Sequence, residues 1–139
     1  MTAAIAKRIV VGYDGSEAAE RALDRAAELA GYGTTVTVIS VAPSDPAEVE
    51  RVHGLLEDAR ARLTAQHVSV RTLDPIGDPV AQIVGSAAEL GADLVVVGSR
   101  GLGTISAVLM GSVSRWLVKH ADVPVTIVTS HHDREPAAV

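Results

Sequence analysis

The chain contains no cysteine and no phenylalanine, and its aromatic residues are Tyr13, Tyr32 and Trp116, 2% of the total. Without cysteine there is no disulfide, no thiolate metal ligand and no thiol nucleophile. Without aromatic bulk, a core for 139 residues must come from Val, Ile, Leu and Ala, which suits helices packed closely on β-branched strands. The length fits one domain with one substantial core. A basic excess is missing as well: 12 Lys and Arg stand against 17 Asp and Glu, giving a net charge of −5 and a pI of about 5.4. Nucleic-acid binders take most of their affinity from phosphate contacts on a basic face, so that class is disfavoured. The uncharged stretch 101–114 is too short and too glycine-rich for a membrane span of about 20 residues. Lys7 and Arg8 interrupt the N-terminus before any signal-peptide core forms. A cytoplasmic protein is expected.

What the chain does have is a regular alternation of periods. The run "RIVVGYDG" reads as a buried strand. Ser16 then caps a helix whose apolar stripe is Ala19, Ala22, Leu23, Ala26, Ala27 and Ala30, closed by Gly31. Residues 34–43 are β-branched and end at Pro43. Val52, Leu55, Leu56, Ala59 and Leu63 recur at helical spacing, with Asp58 and Arg62 expected to pair at i, i+4 on the wet side. Residues 67–73 alternate like a strand. Asp78 and Pro79 open a helix with the stripe Val80, Ile83, Val84, Ala87 and Ala88, ended by Gly91. The stretch "DLVVVG" is a buried strand, a last helix is expected from about Ser112 to His120, and "VPVTIVT" is a final strand. The tail 130–139 has no period and is expected to fray. The order βαβαβαβαβ with short connections predicts a single α/β domain over 1–139, a doubly wound parallel sheet with helices on both faces.

In such a sheet the ligand crevice lies beyond the carboxyl ends of the strands, where the strand order reverses. Right-handed crossovers put strand four beside strand one. The loops flanking that crevice are then "GYDGS" and "GSRGLGT", the glycine-rich loops of the chain. Gly98, Gly101 and Gly103 let backbone approach a ligand, and successive N–H groups there form an anion-binding concavity. Gly111 and Ser112 open the last helix, whose amino end offers a second anion contact, with hydroxyls from Ser112 and Ser114. Two such devices together suit a polyphosphate. Each alone is equally compatible with turn and capping chemistry. Arg100 is the only charge in the loop, a phosphate contact or a solvated surface group. Asp14 reads either as a turn residue or as a ribose partner. Val41 reads as a base contact or as core.

At "GSRGLGTISAVLMGSVS" the chain resembles the nucleotide-binding branch of the universal stress protein family. Gly98, Gly101, Gly111 and Ser112 fill that branch's pattern G-x2-G-x9-G-[S/T] without a gap. The flanks "VVGYDGS", "ADLVVVGSRG" and "HADVPVTIV" are also family-like, so the resemblance covers about residues 6–129. It implies a Rossmann-like sheet of five parallel strands in the order 3-2-1-4-5. It implies ATP as ligand, with adenine near Val41 and Asp14 and ribose near Gly12, Asp14 and Gly98. The phosphates would lie on Gly101, Leu102, Gly103 and Thr104 and on Ser112, Val113 and Ser114, with Ser99 and Arg100 in the same loop. Mg²⁺ would be held mainly by the phosphates. It further implies a homodimer through the last strand, from Val123 to Val128, and a nucleotide-linked role in stress survival or growth arrest, with at most slow hydrolysis. An exposed β-branched edge strand is independently a pairing liability.

Rival enzymes lack their parts. No G-x4-G-K-[S/T] occurs, so no lysine is aimed at terminal phosphates. His53, His67, His120, His131 and His132 form no catalytic pattern, and no paired carboxylates flank the glycine loop beyond Asp14. A phosphoacceptor receiver domain would need an acidic pair after strand one, and a flavin site would need its phosphate loop there with stacking aromatics. Neither is present. A dimeric interaction module that binds no nucleotide is the alternative, together with a slow nucleotide hydrolase on the same fold.

Overall fold

The computed structural model describes residues 6–42, 44–98 and 123–128. In order these form β1 (Arg8–Gly12), α1 (Glu17–Leu29), β2 (Thr35–Ile39), α2 (Pro46–Ala65), β3 (Ser69–Leu73), α3 (Pro79–Leu90), β4 (Leu94–Gly98) and β5 (Val125–Val128). The five strands make one sheet of order β3-β2-β1-β4-β5, with every neighbouring pair parallel. The expected last helix and the tail lie outside the described residues.

Side-chain alternation along the strands divides the core in two. Ile9, Val11, Val36, Val38 and Val96 face α1 and α2, while Val10, Ile39, Val95 and Val97 face α3. The central strands are buried on both faces, as a parallel sheet requires. α1 meets the sheet with Ala18, Ala19, Ala22 and Ala26 around one large residue, Leu23. Small side chains let its backbone come close to β4, and that closeness matters at the crevice.

Each described helix begins on its own cap. Ser16 Oγ accepts from the Ala19 N–H, Asp45 Oδ1 from Ala47 and Asp78 Oδ2 from Ala81. Proline stands at the start of α2 and α3. Gly91 ends α3 in the left-handed region, φ 65°, as its sequence predicts.

Several local expectations are corrected. α1 stops at Leu29 with Ala30 extended, and the left-handed residue is Gly33 rather than Gly31. The reason is Thr34, whose Oγ1 accepts from the Gly31 N–H and donates to the Ala6 carbonyl, drawing the turn onto the amino end of β1. Arg62 does not pair with Asp58. It reaches across to α1 and donates to both oxygens of Asp24, at 2.9 and 2.8 Å, because a guanidinium fork prefers a two-point carboxylate partner. β2 is shorter than 34–43, yet its path resumes in a bridge between Ala42 and Ile76. β3 starts at Ser69, and His67 adopts φ 62° after α2 instead of opening the strand. Ala88 is exposed, so the buried stripe of α3 narrows to Ile83 and Ala87, with Val80 and Val84 packed beside them.

Candidate functional site

The strand order reverses between β1 and β4, and their carboxyl ends lie level: Gly12 pairs with Val97, and Gly98 stands one residue beyond. Gly12 and Gly98 therefore end adjacent strands side by side at the switch point, where open α/β sheets take ligands.

The turn after β1 is fixed from below and from both sides. Tyr13 donates its N–H to the Ile39 carbonyl at 2.9 Å, and its own carbonyl accepts from Ser40 Oγ at 2.7 Å. Ser40 is 2% exposed, so this bond is made in the dry interior. Burial, followed by the nearby carboxylates of Glu20 and Asp58, pushes the Tyr13 phenol above its ordinary range. Asp14 Oδ1 accepts from the Ser16 N–H at 2.9 Å, and Gly15 supplies φ 83° between them, an Asx-type turn. Asp14 thus has the turn role its sequence allowed. A Cβ at Gly15 would lie 2.7 Å from Leu55 Cδ2, so α2 holds the turn down.

Gly98 is required by packing in its own right. It is not in the left-handed region. A Cβ there would lie 2.5 Å from the Ala18 carbonyl carbon and 2.7 Å from both Ala18 O and Ala19 N. The first turn of α1 rests directly on the end of β4, and only hydrogen fits between.

On the far side of β1, Val41 is half-buried against the α3-side core. The loop after β3 is tied to it: Ala42 donates to Pro75 O and Gly77 donates to Ala42 O, both at 3.1 Å. The sequence "DPIGDP" therefore extends the sheet margin as well as turning the chain. Of the expected site residues, Gly12, Asp14, Val41 and Gly98 are brought to one carboxyl margin. Ser99, Arg100, Gly101, Leu102, Gly103, Thr104, Gly111, Ser112, Val113 and Ser114 lie outside the described residues. Sequence reasoning missed Ser40 and Leu55, whose types carry no signal: a serine ending a β-branched run and a leucine on a helix stripe. Among the described residues no three His, Asp or Glu side chains are grouped to hold a metal, and no helix is long and apolar enough to cross a membrane.

An all-parallel five-stranded sheet of order 3-2-1-4-5, reversing between β1 and β4, is a Rossmann-like domain of the doubly wound α/β class. Within that class the chain belongs to the universal stress protein family, which it matches over residues 6–129. It is 35% identical to universal stress protein Rv1636 of Mycobacterium tuberculosis (strain ATCC 25618 / H37Rv), over 88% of this chain and 95% of that one. Among solved structures it is similar to hypothetical protein MJ0577, with a TM-score of 0.76 at 25% identity over 88% of this chain and 95% of the other. It is also similar to a universal stress protein in complex with cAMP, with a TM-score of 0.75 at 27% identity over 90% of this chain and 98% of the other.

Proposed function

We propose that this protein binds ATP in the crevice between β1 and β4 and acts as a nucleotide-linked regulator of stress survival or growth arrest. The observation that carries the reading is the meeting of two glycine-ended strands at the switch point. Gly12 and Gly98 end adjacent strands there, and Gly98 is the first residue of an intact G-x2-G-x9-G-S pattern. A similar protein is seen with cAMP, which supports an adenine nucleotide as the ligand class.

A polyphosphate is favoured over a cyclic monophosphate by the spacing of the motif. At the amino ends of α1, α2 and α3 one N–H each is already bonded to the cap, Ser16, Asp45 or Asp78. Glu17 and Glu20 add negative charge to the first turn of α1, and Glu48 to that of α2. The sequence offers two glycine- and hydroxyl-bearing segments as anion contacts: Gly98, Ser99, Arg100, Gly101, Leu102, Gly103 and Thr104, and Gly111, Ser112, Val113 and Ser114. Two anion devices spaced along one ligand match several phosphates. In this reading adenine lies near Val41 and Asp14, ribose near Gly12, Asp14 and Gly98, and Mg²⁺ rides on the phosphates. No residue is assigned a catalytic role, so turnover is slow at most.

A homodimer through β5 completes the proposal. β5 ends the sheet order beside β4 and is half-buried throughout, leaving an edge for the same strand of a second copy. Sedimentation showing only monomer at micromolar concentration would defeat that part.

The direct experiment is to denature protein purified without added nucleotide, identify what is released by mass spectrometry, and titrate emptied protein with ATP and Mg²⁺. Stoichiometric adenine nucleotide, or saturable ATP binding lost in folded Gly101→Glu and Gly111→Glu, is expected. Unchanged affinity in those variants removes the site. An empty protein that ignores ATP leaves the dimeric interaction module.

A further inference from the structure

At the opposite, amino-terminal end of the sheet lies a cavity of about 280 Å³, just below the roughly 300–1,000 Å³ usual for small-ligand sites. Its charged lining among the described residues is Lys7, Arg8 and Arg71, and no described carboxylate lines it. The register explains the convergence. Arg8 stands beside Thr35, while Val10, Thr37 and Arg71 form the next row across β1, β2 and β3. Alternation puts both rows on the α3 face, where Val10 belongs to the core beneath α3. α3 packs over β1, which leaves the Thr35, Thr37 and Arg71 side of that face as the cavity wall.

The cations are also uncommitted. Arg25, Arg51 and Arg62 are in ion pairs, and Arg60 donates to Thr72. Arg8, Arg71 and Lys7 have no side-chain hydrogen bond or ion pair among the described residues. Asp93 is the carboxylate beside Lys7 and Arg8, but its Oδ2 accepts their backbone N–H groups, at 2.8 and 3.0 Å, and it does not line the cavity. The carboxyl end of α3, marked by Leu90 in the wall, contributes only about half a negative charge. Three positive charges outweigh it together with the single charge of Asp93, which also feels Lys7 and Arg8, in a chain whose net charge is −5.

We propose that this cavity is a binding site for a small phosphomonoester, separate from the β1/β4 crevice. Two guanidinium forks and an ammonium match the double charge and three oxygens of a terminal phosphate, and a single carboxylate would leave most of that charge unanswered. The threonine hydroxyls are placed to bond phosphate oxygens or the body of the ligand. The space beyond one phosphate accommodates a sugar-sized group.

The test is a titration of ¹⁵N-labelled full-length protein with inorganic phosphate and with ribose 5-phosphate at constant ionic strength, following the backbone amides. Saturable shifts at Arg8, Thr35, Thr37 and Arg71 are expected with both probes, tighter with ribose 5-phosphate. Arg71→Gln should weaken binding by about tenfold or more. Arg71 is exposed on an edge strand, so the variant keeps its fold. No saturable shift at these amides at tens of millimolar probe would overturn the proposal. So would shifts confined to the crevice residues Gly12 and Gly98, or an affinity unchanged in Arg71→Gln.

Discussion

Replacing Gly98 by alanine tests whether the first glycine of the motif serves packing as well as ligand binding. The new Cβ would sit 2.5 Å from a backbone carbon of Ala18, flanked at 2.7 Å by two more backbone atoms. No rotamer change relieves a clash with main chain, so α1 and β4 must part by at least about 0.5 Å to reach a tolerable contact. Overpacking of this kind costs about 1–3 kcal/mol, and rigid atoms on both sides place this case near the top of the range. Against it stands the entropy that alanine removes from the unfolded chain, about 0.4–1 kcal/mol in favour of the variant. The clash wins, leaving a net loss of about 2 kcal/mol and a melting temperature lower by roughly 5–10 °C. Urea unfolding followed by far-ultraviolet circular dichroism measures the loss directly, as a lower midpoint at an unchanged slope. Ala18→Gly should not rescue the variant, because the atoms met belong to the backbone. A net change under about 0.5 kcal/mol, or a stabilisation, would refute the packing argument. Nucleotide affinity should fall with stability, because parting α1 from β4 also moves the Asp14–Ser16 turn at the head of α1.

Glycines with open space behave oppositely. Gly54 and Gly85 lie inside α2 and α3, exposed and with nothing within 4 Å of an added Cβ, so Gly54→Ala and Gly85→Ala should each stabilise by about 0.5–1 kcal/mol in the same urea assay. Ser40→Ala leaves the buried Tyr13 carbonyl without its hydroxyl partner and should cost about 1–3 kcal/mol, with weaker nucleotide binding because that bond sets the turn after β1. The Arg62 hydrogen bonds hold the Asp24 carboxyl below its ordinary range. A depressed carboxyl stabilises the fold above its unfolded pKa and stops doing so as pH falls through the folded value. Asp24→Asn should therefore cost at most about 1 kcal/mol at neutral pH, since both side chains are over two-fifths exposed, and nothing in strong acid, read from unfolding curves across acidic pH.

The architecture was legible because its signals are long and mutually consistent. Strand runs such as "RIVVG" and "LVVVG" have no polar face, so they belong to a parallel sheet buried on both sides, and Asp78–Pro79 with Gly91 marks both ends of a helix by backbone chemistry alone. What escaped depends on a partner distant in the chain. Arg62 has an acceptor four residues away in Asp58, and local spacing cannot announce that Asp24, on another helix, offers a better two-point acceptor. Thr34 moves the end of α1 by reaching Ala6, and Ser40 positions the crevice turn through a bond that its place in a strand does not advertise. The candidate site shows the same division at its most consequential residue. The motif identifies Gly98 by position, and a reading from the ligand's side assigns it to close approach. In the fold, its missing Cβ is what admits the first turn of α1. One glycine thus seats the helix that follows the β1 turn and opens the loop proposed to hold phosphate. A side chain at Gly98 would displace the crevice wall before it met any ligand. At Gly101 and Gly111 the same proposal predicts that an added side chain meets the ligand first, so stability and affinity should fall together at Gly98 and separately at the other two.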